Sequence, residues 1–342
     1  MRVYDFPDDP VVRGLNVLLV GGAVRDLLLK RPIHERDWVV LGASPEVMLD
    51  RGFQPVGKDF PVFLHPTTHE EYALARTERK TAAGHQGFAF YAAPDVTLED
   101  DLSRRDFTIN AMAIDRHGAL HDPYDGQTAI AQRQLVPVSA AFDEDPLRVI
   151  RAARFIAQLP GFSASQALLD RLPAMRDELR TLSVERLWKE ASKAFAGDAR
   201  RFFECLNAWA LFDALGLPAF WHPPQATEGP RDQQLATWNA LAPAPLQWPA
   251  AWRAPKTVLE LMADARDWQI EPDQRPSVML RAGAIKNTPR WQRLYQWIDD
   301  DRVAPRIAAA RAIKASDFAN EHQGPALGQA LNSAWLRTLA GE

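Results

Sequence analysis

The sequence predicts an α+β protein, with a mixed α/β head to about residue 138 and an all-helical remainder. Three observations carry this expectation. Up to residue 138, short β-rich runs alternate with helical stretches and with Gly, Pro and Asp turns. After Asp145 the apolar residues fall at helical spacing, and no strand pattern of comparable strength returns.

The elements follow in chain order. Residues 17–20 (Val-Leu-Leu-Val) read as a buried strand and 23–29 as a short helix, which puts Gly21 and Gly22 at a strand-to-helix turn. Arg36 to Leu41 reads as the next strand. Ser44 followed by Pro45 pairs an N-cap residue with proline at the first helical position, so a helix over about 45–51 is expected. Strands at 61–64, 71–75, 111–115 and 134–138 complete the sheet, with a turn at Asp125-Gly126 and a short helix near 128–133. Beyond Asp145, helical faces are marked by Leu147, Ile150, Phe155 and Ile156, by Leu168, Leu169 and Leu172, and by Leu187, Ala191 and Phe195. Ser183 is expected to cap the helix that carries Trp188, and Gly197 to end it. Residues 216–256, rich in Pro, Trp and Ala, read as a linker or as irregular loops packed by aromatics. Helical periodicity resumes at about 257–270 and 305–314. The chain therefore divides into a head (1–138), a helical neck (139–215) and a helical body and tail (216–342).

Composition narrows the class. A hydrophobic content of 46% over 342 residues is ordinary for a globular protein of two or three domains. The apolar runs fall short of a membrane span and the N-terminus has no signal-peptide core, so a cytoplasmic location is expected. The lone Cys205 excludes disulfides and cysteine-based zinc sites, and reads as a buried core thiol. A net charge of −4 gives no bulk signal for nucleic acid; an RNA site would need local clusters, such as Arg148 to Arg154, Arg200-Arg201 or Arg302 to Lys314.

The chemistry is carried by the glycine turn and by two carboxylates. Lacking Cβ, Gly21 and Gly22 let a phosphate approach the backbone at a helix start, where N–H groups are unpaired. Arg25, one turn inside, can close on the same phosphates, although a glycine pair is also common punctuation between strand and helix. Glu35 and Asp37, two apart at the start of a strand, point to one face. Held side by side, they repel unless a cation sits between them. Oxygen-only ligands favour magnesium, which keeps substrate phosphates as its remaining ligands. An isolated acid-x-acid pair can equally be a solvated strand end.

The run from Leu19 to Leu41, the segment Asp59 to Pro66, the stretch Glu71 to Lys80, the block Arg104-Arg105-Asp106 through Ala111, and Glu144-Asp145-Pro146-Leu147-Arg148 together resemble the bacterial class II tRNA nucleotidyltransferases. These CCA-adding enzymes belong to the tRNA nucleotidyltransferase and poly(A) polymerase family. The likeness covers roughly residues 17–215, with the motifs in order. It implies a nucleotidyltransferase-type head and template-free building or repair of the tRNA 3′ CCA from CTP and ATP. Glu35 and Asp37 would hold Mg2+, and Asp106 would supply a third acidic group near the metals or cap the following turn. Gly22, Arg25, Arg105, Asp145, Arg148 and Arg151 would bind nucleotide. The family pattern has Asp-x-Asp where this chain has Glu35-Arg36-Asp37, and the extra methylene carries the first carboxylate outward. Poly(A) polymerases and partial enzymes adding only CC or only A share the head motifs, and Glu35 leaves room for an RNA-binding protein that has lost catalysis.

Two further readings concern specificity. Were Asp145 and Arg148 three apart in one helix, both would face one ligand. An arginine donor beside an aspartate acceptor matches cytosine and adenine and leaves groups unpaired against uracil and guanine. An ordinary intrahelical ion pair is the simpler alternative. The segment Lys80 to Gly87 resembles a flexible loop that reshapes the pocket between C and A addition, or is an exposed connection. After residue 150 only His222 and His322 remain, so the metal phosphohydrolase domain of some family members is expected to be absent.

Overall fold

The computed structural model describes residues 4, 6–56, 61–80, 88–218, 223 and 229–342. Asp59-Phe60 of the second motif, most of the loop 80–87, and His222 lie outside the described residues. The chain divides into two compact units, one of residues 1–182 and 205–215, the other of 183–204 and 216–342.

In the first unit the strands are β1 (Asn16–Val20), β2 (Asp37–Leu41), β3 (Gln54–Pro55), β4 (Val62–Leu64), β5 (Glu71–Leu74), β6 (Thr77–Lys80), β7 (Phe88–Tyr91), β8 (Ala113–Asp115) and β9 (Leu120–His121). Seven of them form one mixed sheet in the order β3-β4-β5-β2-β1-β8-β9, while β6 and β7 make a separate antiparallel hairpin. The expected strands of the head all appear within two residues of their expected bounds, except that 134–138 keeps only Gln134–Leu135 as strand. Side chains alternate across β2: Trp38 and Val40 pack with Val17, Leu19, Tyr72 and Leu74, whereas Val39 packs with Leu18, Val20, Ala75 and Ala113. Asp37 therefore belongs to the Val39 face. Trp38 stacks on Tyr72 with centroids 5.6 Å apart, and Phe6 meets Trp38 edge-on, so the opposite face is closed by aromatics.

Helix α1 (Gly22–Leu28) leaves β1 through Gly21, and α2 (Pro45–Asp50) begins with proline as expected. Helix α3 (Leu98–Ser103) starts with a full capping box between Thr97 and Asp100. Helix α4 (Gly126–Gln132) and helix α5 (Leu147–Gln158) complete the elements that bear on the site. One expectation is corrected here. Asp145 is not helical; its φ of −126° and ψ of 103° are extended, and α5 begins two residues later. The cause is Pro146, whose ring disfavours helical conformation in the residue before it.

The second unit is helical throughout its described residues. Lys256–Ile270 packs on Arg231–Leu241, and Leu261, Ala265, Trp268, Val278, Trp291 and Leu294 fill a core with Ala236 and Leu339. The helix Arg231–Leu241 falls inside the stretch expected to be linker or loops. Its prolines only bracket it, with Pro230 at the N-cap and Pro243 and Pro245 beyond its end, while Leu235 and Trp238 are fully buried. Asp264, also fully buried, accepts hydrogen bonds from both Arg281 and Arg290 at 2.7–3.1 Å.

Candidate active site

Strand pairing brings the glycine turn to the carboxylates. Antiparallel pairing of β1 with β2 sets Val20 opposite Asp37, so the residue that follows Val20 lies beside the Asp37 carboxylate. Gly21 has φ 72° and ψ −133°, a backbone region that L side chains do not adopt. A Cβ placed on it would lie 2.9 Å from Arg105 Nη1 and 3.8 Å from Asp37 Oδ2. The turn, the carboxylate and the guanidinium thus converge on one point.

Asp37 opens to solvent, yet surrounding protein raises its carboxyl above the ordinary range: desolvation is the largest cause, the Arg105 charge opposes it, and the Glu35 charge adds to it. Glu35 is exposed and lies just before β2 rather than in it, close enough for its charge to be felt at Asp37. Two acids destabilising one another beside a guanidinium form a place where a cation and a polyanion would both be welcome.

Arg105 comes from the residue pair that ends α3. Its Nη2 donates to Asp101 Oδ2 at 3.1 Å and its Nη1 to the Asn110 carbonyl at 3.4 Å. Asp106 is buried, and it accepts two hydrogen bonds from Arg151, at 2.8 and 2.6 Å, one from Asn110 Nδ2 at 3.0 Å and one from its neighbour's N–H at 2.8 Å. Burial opposes its ionisation, but Arg151 and these hydrogen bonds outweigh it and hold the carboxyl well below the usual carboxylate range. Asp106 is thereby joined to the neck helix α5. Among the described residues no group of three His, Cys, Asp or Glu side chains is arranged to hold a metal.

The remaining expected nucleotide-binding residues take definite places. Arg25 is gripped by Asp26 through two bonds of 2.9 Å and by Asn110 Oδ1 at 2.9 Å, and its guanidinium stands 5.2 Å from the Phe155 ring centroid. Gly22 opens α1, where an added Cβ would sit 3.5 Å from Arg25 Nη2. Arg148 donates to the carbonyls of Ala141 at 2.8 Å and Arg104 at 2.6 Å, and Asp145 Oδ1 accepts the Leu147 N–H at 3.1 Å. Sequence reasoning passed over two residues, Asp101 and Asn110. Asp101 had a visible signal, an acid one helical turn before an arginine pair. Asn110 had none, because its partners Asp106 and Arg25 are brought to it by the fold.

A glycine turn leaving a sheet strand, an acidic pair at the start of the neighbouring strand with Asp37 in it and Glu35 just before it, and an arginine over the turn define a nucleotidyltransferase head. Residues 17–136 match the poly A polymerase head domain. The CCA-adding enzyme of Coxiella burnetii (strain RSA 331 / Henzerling II) is 49% identical over 246 residues, covering 71% of this chain and 64% of that protein. The CCA-adding enzyme of Hamiltonella defensa is 61% identical over 184 residues, covering 53% of this chain and 45% of that protein. The chain is thus similar to CCA-adding enzymes, and its residues 17–136 match a poly A polymerase head domain. It spans less than two thirds of the length of these relatives. Its fold is similar to that of the Bacillus stearothermophilus CCA-adding enzyme in complex with CTP, with a TM-score of 0.70 at 23% identity over 97% of this chain and 94% of that one.

Proposed function

We propose that the protein adds or repairs the 3′-terminal CCA of tRNA without a nucleic-acid template, consuming CTP and ATP and releasing pyrophosphate, in the cytoplasm. The observation that carries this is the convergence of Gly21, Asp37 and Arg105. Curated relatives named CCA-adding enzymes support the choice of substrate.

Glu35 and Asp37 fit Mg2+: both offer carboxylate oxygen, and the upward pressure on Asp37 from burial and from Glu35 is what a divalent cation would relieve. When bound, Mg2+ supplies activation of the attacking hydroxyl and stabilisation of the leaving oxygen. The protein's own groups do the positioning. Gly21 leaves room for a triphosphate to approach the backbone, and Arg105 neutralises its charge from above the turn. The tRNA 3′-hydroxyl then attacks the α-phosphorus, and pyrophosphate leaves, with most of the acceleration coming from alignment and charge stabilisation. Arg148, held by two carbonyls, and Asp145 read the base edge in the donor–acceptor sense that fits C and A. Asp106 holds Arg151 in place on α5 as a nucleotide-binding group.

One rival has an observation of its own, since the matching head domain is described by poly A polymerase. Incubation with a tRNA lacking CCA and with each nucleoside triphosphate, singly and together, separates the two. Addition of C, C and A supports the proposal, while long A tails or absent C incorporation would defeat it. Glu35→Asp and Asp37→Ala extend the assay: a wild type as inactive as Asp37→Ala, with tRNA binding intact, would make this a binding protein rather than an enzyme.

A further inference from the structure

We infer that Asp101 is a positioning residue that ties the two ends of an incoming nucleotide to one frame, aiming Arg105 at the triphosphate and, through Arg104, seating Arg148 for the base. The inference rests on the nucleotidyl-transfer reading of the site.

Asp101 is fully buried on α3, and both of its oxygens are committed. Oδ2 accepts Arg105 Nη2 at 3.1 Å. Oδ1 accepts Arg104 Nη2 at 2.7 Å and Nε at 3.2 Å, and also the Arg76 N–H at 3.3 Å. Desolvation works against this carboxylate, but the Arg104 and Arg105 charges and their hydrogen bonds outweigh it, so the group is ionised. From this one anion two arms run outward. Arg105 carries the first to the Gly21 turn, where its Nη1 lies 2.9 Å from the point a Cβ would occupy. The Arg105 Nε is buried without a partner among the described residues, so Asp101 and the Asn110 carbonyl are its hydrogen-bonded anchors. The second arm is Arg104, whose carbonyl accepts Arg148 Nη2 at 2.6 Å while its Nε also bonds the Arg76 carbonyl at 3.1 Å. Asp264 of the second unit also holds two guanidiniums; Asp101 differs in that both of its arginine partners lead on to groups facing the site, Arg105 to the Gly21 turn and Arg104 to Arg148. Here it fixes the spacing between a phosphate-facing arginine and a base-facing one, and a fixed spacing is what aligning a nucleotide requires.

The test is calorimetric binding of pyrophosphate and CTP to the full chain, with the fold followed by circular dichroism. Asp101→Asn keeps the shape and removes the charge. It is expected to weaken pyrophosphate and CTP binding by about tenfold or more, the scale of one lost charge-assisted hydrogen bond. In an Arg105→Ala background the same change is expected to add almost nothing for pyrophosphate, because Asp101 acts through Arg105. Arg105→Lys covers the case in which Asp101→Asn fails to fold: it retains the charge but cannot span Asp101 and the turn, and is expected to show the same loss. Extension assays on Asp101→Asn are expected to show a lower preference for CTP over UTP. Wild-type pyrophosphate affinity in Asp101→Asn or Arg105→Lys, or additive losses in the double variant, would overturn the inference. A wild type that bound neither ligand would overturn the site reading and this inference with it.

Discussion

Gly21→Ala perturbs the site at its tightest point. At φ 72° and ψ −133° an alanine is strained whatever the surrounding space, at a cost of about 1–3 kcal/mol of stability. The new methyl would also stand 2.9 Å from Arg105 Nη1, closer than real contacts allow, so the guanidinium must withdraw, whereas Asp37 Oδ2 at 3.8 Å need not move. Losing one charge-assisted contact to the triphosphate costs about 1.5–3 kcal/mol, which corresponds to roughly 10- to 150-fold in kcat/KM. The assay is CTP incorporation into tRNA lacking CCA, paired with thermal unfolding of the same preparation. Gly22→Ala is the comparison: its Cβ meets Arg25 Nη2 at an ordinary 3.5 Å, and its φ is not positive, so a much smaller loss is expected. If Gly21→Ala kept wild-type kcat/KM, Arg105 would not act above that turn and the convergence argument would fail.

Three further outcomes follow from the charges. Burial raises the Asp37 carboxyl, so its favourable contribution to folding is complete below the ordinary carboxylate range and is lost as pH rises through its folded value. Asp37→Asn should therefore melt higher than wild type at neutral pH without metal, and Mg2+ should raise the melting temperature of the wild type only; a lower-melting variant would contradict this. Asp106 is depressed instead, so its stabilisation is complete above the ordinary carboxylate range and lost as pH falls towards its folded value. Asp106→Asn should flatten the acid limb of stability against pH, and an unchanged limb measured by urea unfolding would refute that. Asp264→Ala removes the buried acceptor shared by Arg281 and Arg290, which keep Asp267 and Glu260 as partly exposed partners, and should cost about 1–3 kcal/mol in denaturant unfolding, with no measurable loss counting against it.

The order of elements in the head was legible because period-two and period-3.6 patterns in apolar residues report which face is buried, and burial dominates local structure there. The helix Arg231–Leu241 was not, because eight prolines spread over residues 216–256 masked a twelve-residue gap that holds none. Asp145 was placed in a helix on spacing alone, although Pro146 beside it carried the local signal against that. The short strands at 54–55 and 120–121 exist only because longer neighbours pair with them.

By itself the amino-acid sequence determined the chemical inventory of the site and its order along the chain: a glycine turn, two acids, an arginine pair and an arginine-bearing helix. Only tertiary structure decided which of these groups meet. Val20 pairing with Asp37 delivers the carboxylate to the turn, and Asp101 delivers Arg105 above it. Arg25 and Asp106, by contrast, were drawn into one network through Asn110. The reason is physical. A side chain's chemistry is local to its own residue, but its partners depend on strand register and on hydrogen bonds that reach far along the sequence, across 85 residues between Arg25 and Asn110.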